Sequence, residues 1–316
     1  MQVAFVFPGQ GSQSIGMGMA LAKAFPAARE VFEQVDEALK QPLSKIIAEG
    51  PEDALTLTEN AQPAIMAASM AAFAVMQKEM GVKLPQDASF VAGHSLGEYT
   101  ALTAAGAWDV ATCAKLLKTR GQAMQAAVSQ GQGLMAAIIG PELPAVRDII
   151  EATGDQLPGE IVEVANHNAP NQIVISGSKA GVELAMQIAK EKGAKRAVAL
   201  AVSAPFHCSL MKPAAKVMEE ALAATTIQPL IVPVIANVTA NPVSDANQVR
   251  PLLVQQVTGM VRWVDSIQTL HDRGVRKVIE IGHGNVLAGL IKRIAPDITV
   301  QNVGAPEDLD ALAKAA

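Results

Sequence analysis

A wholly apolar run, Val3-Ala4-Phe5-Val6-Phe7, opens the chain and is cut off by Pro8-Gly9. A strand with one wet face alternates apolar and polar residues. An unbroken apolar run marks a strand buried on both faces, as in a parallel sheet covered by helices. Residues 89–93 form a second such run. Helical periodicity occupies 15–25, 27–40 and 63–80 between the two strands, then 95–105 and 109–128 beyond them. This strand–helix alternation predicts an α/β fold built on a parallel sheet. Half of the 316 residues are hydrophobic and 17% are charged, enough for a substantial core and incompatible with bulk disorder.

The pattern changes over 131–202. Residues 134–139 read as a strand and 143–152 as a helix. Residues 161–165 and 172–176 read as two strands joined by the turn-rich Asn166-His167-Asn168-Ala169-Pro170-Asn171. A helix over 179–192 ends at Gly193, and a strand over 196–202 closes the unit. The order βαββαβ is that of a ferredoxin-like unit. The expected organisation is a large α/β domain over 1–130 and 203–316, interrupted by a small domain at 131–202. Further elements are expected over 230–236, 247–257, 264–273, 277–281 and 285–294.

Several function classes are disfavoured. Aromatics make up 3% of the chain, too few for stacking platforms on single-stranded nucleic acid. With 25 Lys+Arg against 30 Asp+Glu, the net charge of −5 argues against a general phosphate-backbone binder. Cys113 and Cys208 cannot build a disulfide framework or a thiolate metal site, and a reduced cytoplasmic setting is expected. There is no HExxH or CxxC spacing to suggest a metal. The apolar stretch 64–76 is shorter than the ~18 residues that span a bilayer, and no targeting segment is visible, so no membrane association is expected.

Gly93-His94-Ser95-Leu96-Gly97-Glu98 is the most informative segment. Its Gly-x-Ser-x-Gly lies between an expected strand and an expected helix, the setting of a nucleophile elbow. With 13 serines and 24 glycines, roughly 0.07 chance matches are expected. A serine nucleophile needs a base. Five histidines are available. His94 sits inside the elbow with its side chain directed away from Ser95. His167 falls in the expected hairpin turn as a loop residue, and His271 on a polar helix face. His207 and His283 each follow an expected strand and compete for the role.

Arg120 falls on the apolar stripe of its helix, three residues after Leu117 and four before Met124. An inward guanidinium stays charged and needs a partner, either a structural ion pair or a substrate carboxylate, unless the side chain snorkels to solvent near the helix end. Two glycine-containing loops follow strands, at Pro8-Gly9-Gln10-Gly11 and at Gly282-His283-Gly284. Either reads as an ordinary turn, although the first can also offer N–H groups to an oxyanion. Neither completes a GxGxxG or phosphate-loop pattern, which weighs against a nucleotide-binding module. A serine esterase or thioesterase would share the elbow and transfer the acyl group to water.

Taken together, these segments resemble the malonyl-CoA:acyl carrier protein transacylases. The resemblance runs through essentially the whole chain. It is carried by Phe7-Pro8-Gly9-Gln10-Gly11-Ser12-Gln13, Gly93-His94-Ser95-Leu96-Gly97-Glu98-Tyr99 and Arg120-Gly121. Ala165-Asn166-His167-Asn168-Ala169-Pro170, Val202-Ser203-Ala204-Pro205-Phe206-His207, and Gln256-Val257 with Val261-Arg262-Trp263 complete it. The resemblance implies a large α/β-hydrolase-like domain interrupted by a ferredoxin-like one. It also implies Ser95 as nucleophile, His207 rather than His283 as base, and Arg120 as the group that holds the malonyl carboxylate. The N–H groups of Gln10 and Leu96 match the oxyanion hole, and the main-chain carbonyl of Gln256 matches the group that orients the histidine. Leu96 and Phe206 stand at positions associated with malonyl over methylmalonyl preference. Malonyl-CoA and acyl carrier protein are the implied partners, with no metal or redox cofactor, and a monomer is expected. Two departures from the family pattern are His167, where an aromatic residue is commoner, and His283, where proline is frequent. Carrier proteins are acidic, so Lys190, Lys192, Lys195 and Arg196, or Arg273, Arg276 and Lys277, are candidate docking clusters.

Overall fold

The computed structural model describes residues 2–202 and 204–314, apart from the side chains of 313 and 314. Ser203, in the bend before His207, lies outside the described residues. In chain order the strands are β1 (Gln2–Phe7), β2 (Phe90–Gly93), β3 (Gly133–Ile139), β4 (Val162–Ala169), β5 (Gln172–Ser178), β6 (Arg196–Ala199), β7 (Val234–Ile235), β8 (Pro242–Val243), β9 (Val275–Ile281) and β10 (Thr299–Val303). The helices before β3 are α1 (Met19–Ala24), α2 (Pro26–Leu39), α3 (Leu43–Glu49), α4 (Glu52–Thr56), α5 (Thr58–Glu79), α6 (Leu96–Ala104) and α7 (Val110–Ala126). After it come α8 (Leu143–Gln156), α9 (Lys179–Glu191), α10 (Lys212–Ala223), α11 (Ala246–Thr258), α12 (Trp263–Asp272), α13 (Val286–Ile294) and α14 (Pro306–Lys314).

Six strands form the larger sheet in the order β10-β9-β1-β2-β7-β8, parallel except for β8. The apolar run in β1 has the cause inferred from its sequence. Phe5 and Phe7 pack into a cluster with α2, α5 and α7, while Ala4 and Val6 pack into another with Trp263, Ile267 and Leu290 on the opposite face. Both faces of the sheet are therefore dry. Truncating a buried aromatic such as Phe7 to alanine costs roughly 3–5 kcal/mol in sites of this kind. Helix α5 is buried nearly all round, so it shows no amphipathic stripe.

The second sheet has the antiparallel order β4-β5-β3-β6, with α8 and α9 connecting its strands. This is the ferredoxin-like arrangement. Ala136, Ile138, Ile173 and Ile175 face α8 and α9, whereas Met135, Ala137 and Val174 join the large core. The period-two alternation thus docks the small sheet between its own helices and the rest of the molecule.

The structure revises several expected elements. The helix expected over 15–25 begins only at Met19, because Gly16 and Gly18 take positive φ values of 84° and 73°. Helix α5 begins at Thr58, a turn ahead of the expected start at Pro63, and burial holds it together despite the proline. The strand expected over 230–236 shrinks to β7, immediately after Pro233. Residues 166–169, expected as part of a turn, extend β4 to Ala169 through two bulges. Asn166 bridges Val261, and the His167 N–H donates to the Val261 carbonyl at 2.9 Å. His167 is accordingly a buried strand residue, not a solvated loop residue, and burial pushes its pKa down. Helices α3, α4, α10 and α14 and strands β8 and β10 have no counterpart among the expected elements.

Candidate active site

Phe7 pairs with Gly93, so the carboxyl ends of β1 and β2 lie side by side, and α6 starts directly beneath them. Ser95 occupies the turn with φ 54° and ψ −111°, a conformation that costs a non-glycine residue about 1–3 kcal/mol. The flanking glycines make this turn possible. A Cβ on Gly93 would stand 1.9 Å from the Gly97 carbonyl oxygen, and one on Gly97 would stand 2.3 Å from that of Phe7. Asn237, just beyond β7, clamps the strained segment. Its Oδ1 accepts the Ser95 N–H at 2.8 Å and its Nδ2 donates to the Gly93 carbonyl at 2.7 Å.

His207 sits on the loop after β6, also at positive φ (59°). Its Nε2 is 2.8 Å from Ser95 Oγ, and its Nδ1 is 2.8 Å from the main-chain oxygen of Gln256 in α11. A carbonyl oxygen only accepts, so Nδ1 carries the proton and Nε2 presents its lone pair to the serine hydroxyl. Burial, reinforced by the positive charge of Arg120, pushes the His207 pKa down to about 3, which keeps the ring neutral. Glu163 of β4 steadies the segment that follows. Its carboxylate accepts the Ser209 N–H at 3.0 Å and the Ser209 hydroxyl at 2.5 Å.

Arg120 of α7 is 1% exposed, as its place on the apolar stripe implied. Its Nη1 donates to Gln62 Oε1 at 2.8 Å; its Nη2 donates to Gln256 Oε1 at 2.9 Å and to Ser95 Oγ at 3.2 Å. The guanidinium carbon lies 5.5 Å from the centre of the Tyr99 ring. All of these partners are uncharged, so Arg120 is not part of a structural ion pair among the described residues.

Ser95, His207, Arg120 and Gln256 are therefore joined by hydrogen bonds into one cluster. Gln10 and Phe206 line a cavity of about 300 Å³ above it, together with His94, Met135, Asn166 and Leu200. Leu96 is the first residue of α6, next to Ser95, and neither its N–H nor that of Gln10 is bonded to another group among the described residues. The competing histidines are placed elsewhere. His283 Nε2 meets Ser14 Oγ at 2.8 Å, and His94 Nε2 meets Asn168 Oδ1 at 2.7 Å. His271 is held by Asp297 and Asp272 on the surface.

Sequence reasoning missed three contributors. Gln62 carried no signal beyond being a polar residue in an apolar helix. Asn237 follows the carboxyl end of an apolar run, which could have marked it. Glu98 was quoted in the motif without a role. The Gln256 side chain also does more than expected: its Nε2 donates to the Ser95 carbonyl at 2.9 Å and to Glu98 Oε2 at 2.7 Å.

The two basic clusters separate. Lys190, Lys192, Lys195 and Arg196 are exposed at the end of α9, in the turn after it and at the start of β6, and the chain leads from them through β6 to Leu200, Ala201 and Val202 at the cavity wall. Arg276 and Lys277 lie at the start of β9, the end of the parallel sheet opposite Ser95, which argues against that cluster as a docking site. Arg276 there is paired with Asp297 and donates to the His271 carbonyl. Among the described residues there is no group of His, Cys, Asp and Glu arranged to hold a metal ion, and no helix is long and apolar enough to cross a membrane.

The acyl transferase domain family matches residues 4–304. Malonyl CoA-acyl carrier protein transacylase of Bacillus subtilis (strain 168) is 45% identical over 309 residues, 98% of this chain and 95% of that protein. The crystal structure of the acyl-carrier-protein-S-malonyltransferase from Bartonella henselae superposes with a TM-score of 0.96 at 51% identity, covering 100% of this chain and 99% of that one. A type II PKS acyl-carrier protein in complex with its malonyl-transacylase matches with a TM-score of 0.95 at 39% identity, covering both chains fully.

Proposed function

This chain belongs to the family of malonyl CoA-acyl carrier protein transacylases, which makes it an acyltransferase, and we propose that it moves a malonyl group from malonyl-CoA to the phosphopantetheine thiol of an acyl carrier protein through a malonyl-Ser95 intermediate. The observation that carries this reading is the convergence on one oxygen: Ser95 Oγ lies 2.8 Å from His207 Nε2 and 3.2 Å from Arg120 Nη2. A base and a buried cation at the same hydroxyl suit an acyl donor with a carboxylate at its far end.

His207 Nε2 takes the serine proton as Oγ attacks the thioester carbonyl. The resulting oxyanion is received by the N–H groups of Gln10 and Leu96, each donor worth about 3–4 kcal/mol in comparable sites. Collapse breaks the carbon–sulfur bond, and the imidazolium protonates the departing CoA thiolate. In the second half His207 deprotonates the carrier-protein thiol, which attacks the acyl-serine, and the proton returns to Ser95 as the ester breaks. One activated acyl ester replaces another, so the chemistry calls for no ATP, metal or redox step.

Pairing the malonyl carboxylate with Arg120 also removes part of the field that depresses the His207 pKa, so the base strengthens when the correct substrate is present. Acetyl-CoA would leave the guanidinium with neutral partners only. We place carrier-protein docking at Lys190, Lys192, Lys195 and Arg196, around the start of the strand that runs on to the cavity wall; charge reversal there should raise the carrier-protein KM, and an unchanged KM would dismiss the patch. Monomeric behaviour is part of the same proposal and is read by sizing with light scattering. The central test is intact-mass analysis after mixing with malonyl-CoA. Wild type should carry one malonyl adduct that persists without a thiol acceptor, and Ser95→Ala none. Rapid loss of the adduct to water would point to a thioesterase instead.

A further inference from the structure

The carboxyl of Glu98 is an ionisable group beside the Ser95–Arg120–Gln256 cluster that the mechanism leaves unused. It is 3% exposed, in the first turn of α6, three residues after the nucleophile. Both of its hydrogen bonds fall on one oxygen: Oε2 accepts the Asn237 N–H at 3.1 Å and Gln256 Nε2 at 2.7 Å. Oε1 has no hydrogen-bond partner among the described residues, and Glu98 is the only polar residue lining a small cavity otherwise walled by Leu102, Val234, Val249 and other aliphatic side chains. That arrangement serves a carboxylic acid as well as a carboxylate, because an acid keeps a carbonyl oxygen that accepts two bonds.

The nearby charge, Arg120, is linked to Glu98 by a single amide and also acts on it through space. Arg120 donates to Gln256 Oε1, and Gln256 Nε2 donates to Glu98, which sets the amide's orientation from both ends. The other titratable groups around this site are Tyr99 on the same helix, Cys113 on α7, His207 on its loop and His94 in the turn before Ser95, whose pKa burial also pushes down. Burial pushes the Tyr99 and Cys113 pKa values up, Cys113 to about 12, and pushes His207 down, so all three are neutral near pH 7. Strands β1, β2 and β7 and the buried side of α5 contribute no titratable group.

We propose that Glu98 is the counter-charge of Arg120 in the free enzyme and takes up a proton from solvent when a substrate carboxylate pairs with that arginine, the side chain of Gln256 coupling the two. The inference rests on the reading of Arg120 given above. Two carboxylates around one buried guanidinium would leave a net negative charge in a dry site, and protonating the one without a direct ion pair is the least costly relief. Burial already pushes the Glu98 pKa up to about 7, so a modest change of field suffices. Glu98 is thus a specificity-determining residue acting through Gln256: it lets the pocket stay near neutrality with or without the acid substrate.

The test is isothermal titration calorimetry of the Ser95→Ala protein, which binds without reacting, in buffers of different ionisation enthalpy. At about pH 7.5 malonyl-CoA should bind with uptake of a substantial fraction of a proton per site and acetyl-CoA with none. The malonyl-CoA Kd should rise with pH, up to the tenfold per pH unit that full uptake of one proton allows. Adding Glu98→Gln should abolish the uptake and flatten that dependence. Malonyl-CoA binding with no buffer dependence would overturn the role of Glu98 while leaving that of Arg120 intact, and so would uptake that persists in Glu98→Gln. Equal binding of acetyl- and malonyl-CoA would instead break the reading of Arg120. Should Glu98→Gln not fold, infrared difference spectra of Ser95→Ala should still show a protonated-carboxyl band on adding malonyl-CoA, and its absence would overturn the proposal.

Discussion

Ser95–His207 and Ser14–His283 both close to 2.8 Å, and both lie on loops at the carboxyl ends of strands. They differ in what surrounds them. His207 is buried and its second nitrogen is tied to the Gln256 carbonyl, so its tautomer is set. Ser95 is held at positive φ at the start of a helix, receives a hydrogen bond from Arg120 and opens onto the cavity. His283 is partly exposed, its second nitrogen has no partner among the described residues, and Ser14 belongs to an irregular loop. A serine–histidine distance is therefore not a catalytic site. Orientation of the imidazole and a built receptor for charge are what the proposed mechanism requires, and they separate Ser95–His207 from Ser14–His283.

The comparison is broken or sharpened by substitution. Ser95→Ala should lower malonyl transfer by at least about 10⁴-fold, whereas Ser14→Ala should stay within about threefold; a steady-state thioester-exchange assay reads both. His207→Ala should cost roughly 10³–10⁴-fold, against a few-fold for His283→Ala. A comparable loss in the His283 variant would mean that the second pair shares in the chemistry. Arg120→Ala should lower malonyl transfer about 10²-fold and acetyl transfer much less. Equal loss on both would remove the guanidinium from substrate recognition.

Asn237→Ala removes two hydrogen bonds that clamp the Ser95 turn and should cost about 1–3 kcal/mol of stability, with kcat falling more than KM rises. A further effect concerns pH. The Glu98 pKa is raised from 4.5 to about 7, so its favourable contribution is complete below about pH 4.5 and is lost as pH climbs through 7. Glu98→Gln should therefore gain thermal stability over wild type at about pH 8, on the order of 3 kcal/mol at most, and little below pH 4.5. A stability gap independent of pH would show that the carboxyl titrates normally.

Much of the site was legible because its constraints are local. The two glycines around Ser95 are demanded by backbone approaches within a single strand–turn–helix, and Arg120 faces inward because helical periodicity puts it there. The apolar run of residues 3–7 in β1 declared a sheet covered on both sides before any contact was known. Other features had no local trace. The polar Asn166-His167-Asn168 read as a turn, yet pairing with Ile173, Val174 and Val261 draws it into β4. Composition could not foresee that, since bulged strand ends tolerate turn residues when a neighbour supplies the hydrogen bonds.

The amino-acid sequence by itself determined the elbow, the alternation of buried strands with helices and the inward cation, because each follows from φ/ψ limits or from periods of 2 and 3.6 residues. Only the tertiary structure decided which histidine hydrogen-bonds Ser95 and that Gln256 joins Arg120 to Glu98. Those outcomes depend on groups more than a hundred residues apart meeting in a low-dielectric interior, where distance and desolvation, not spacing along the chain, set the chemistry.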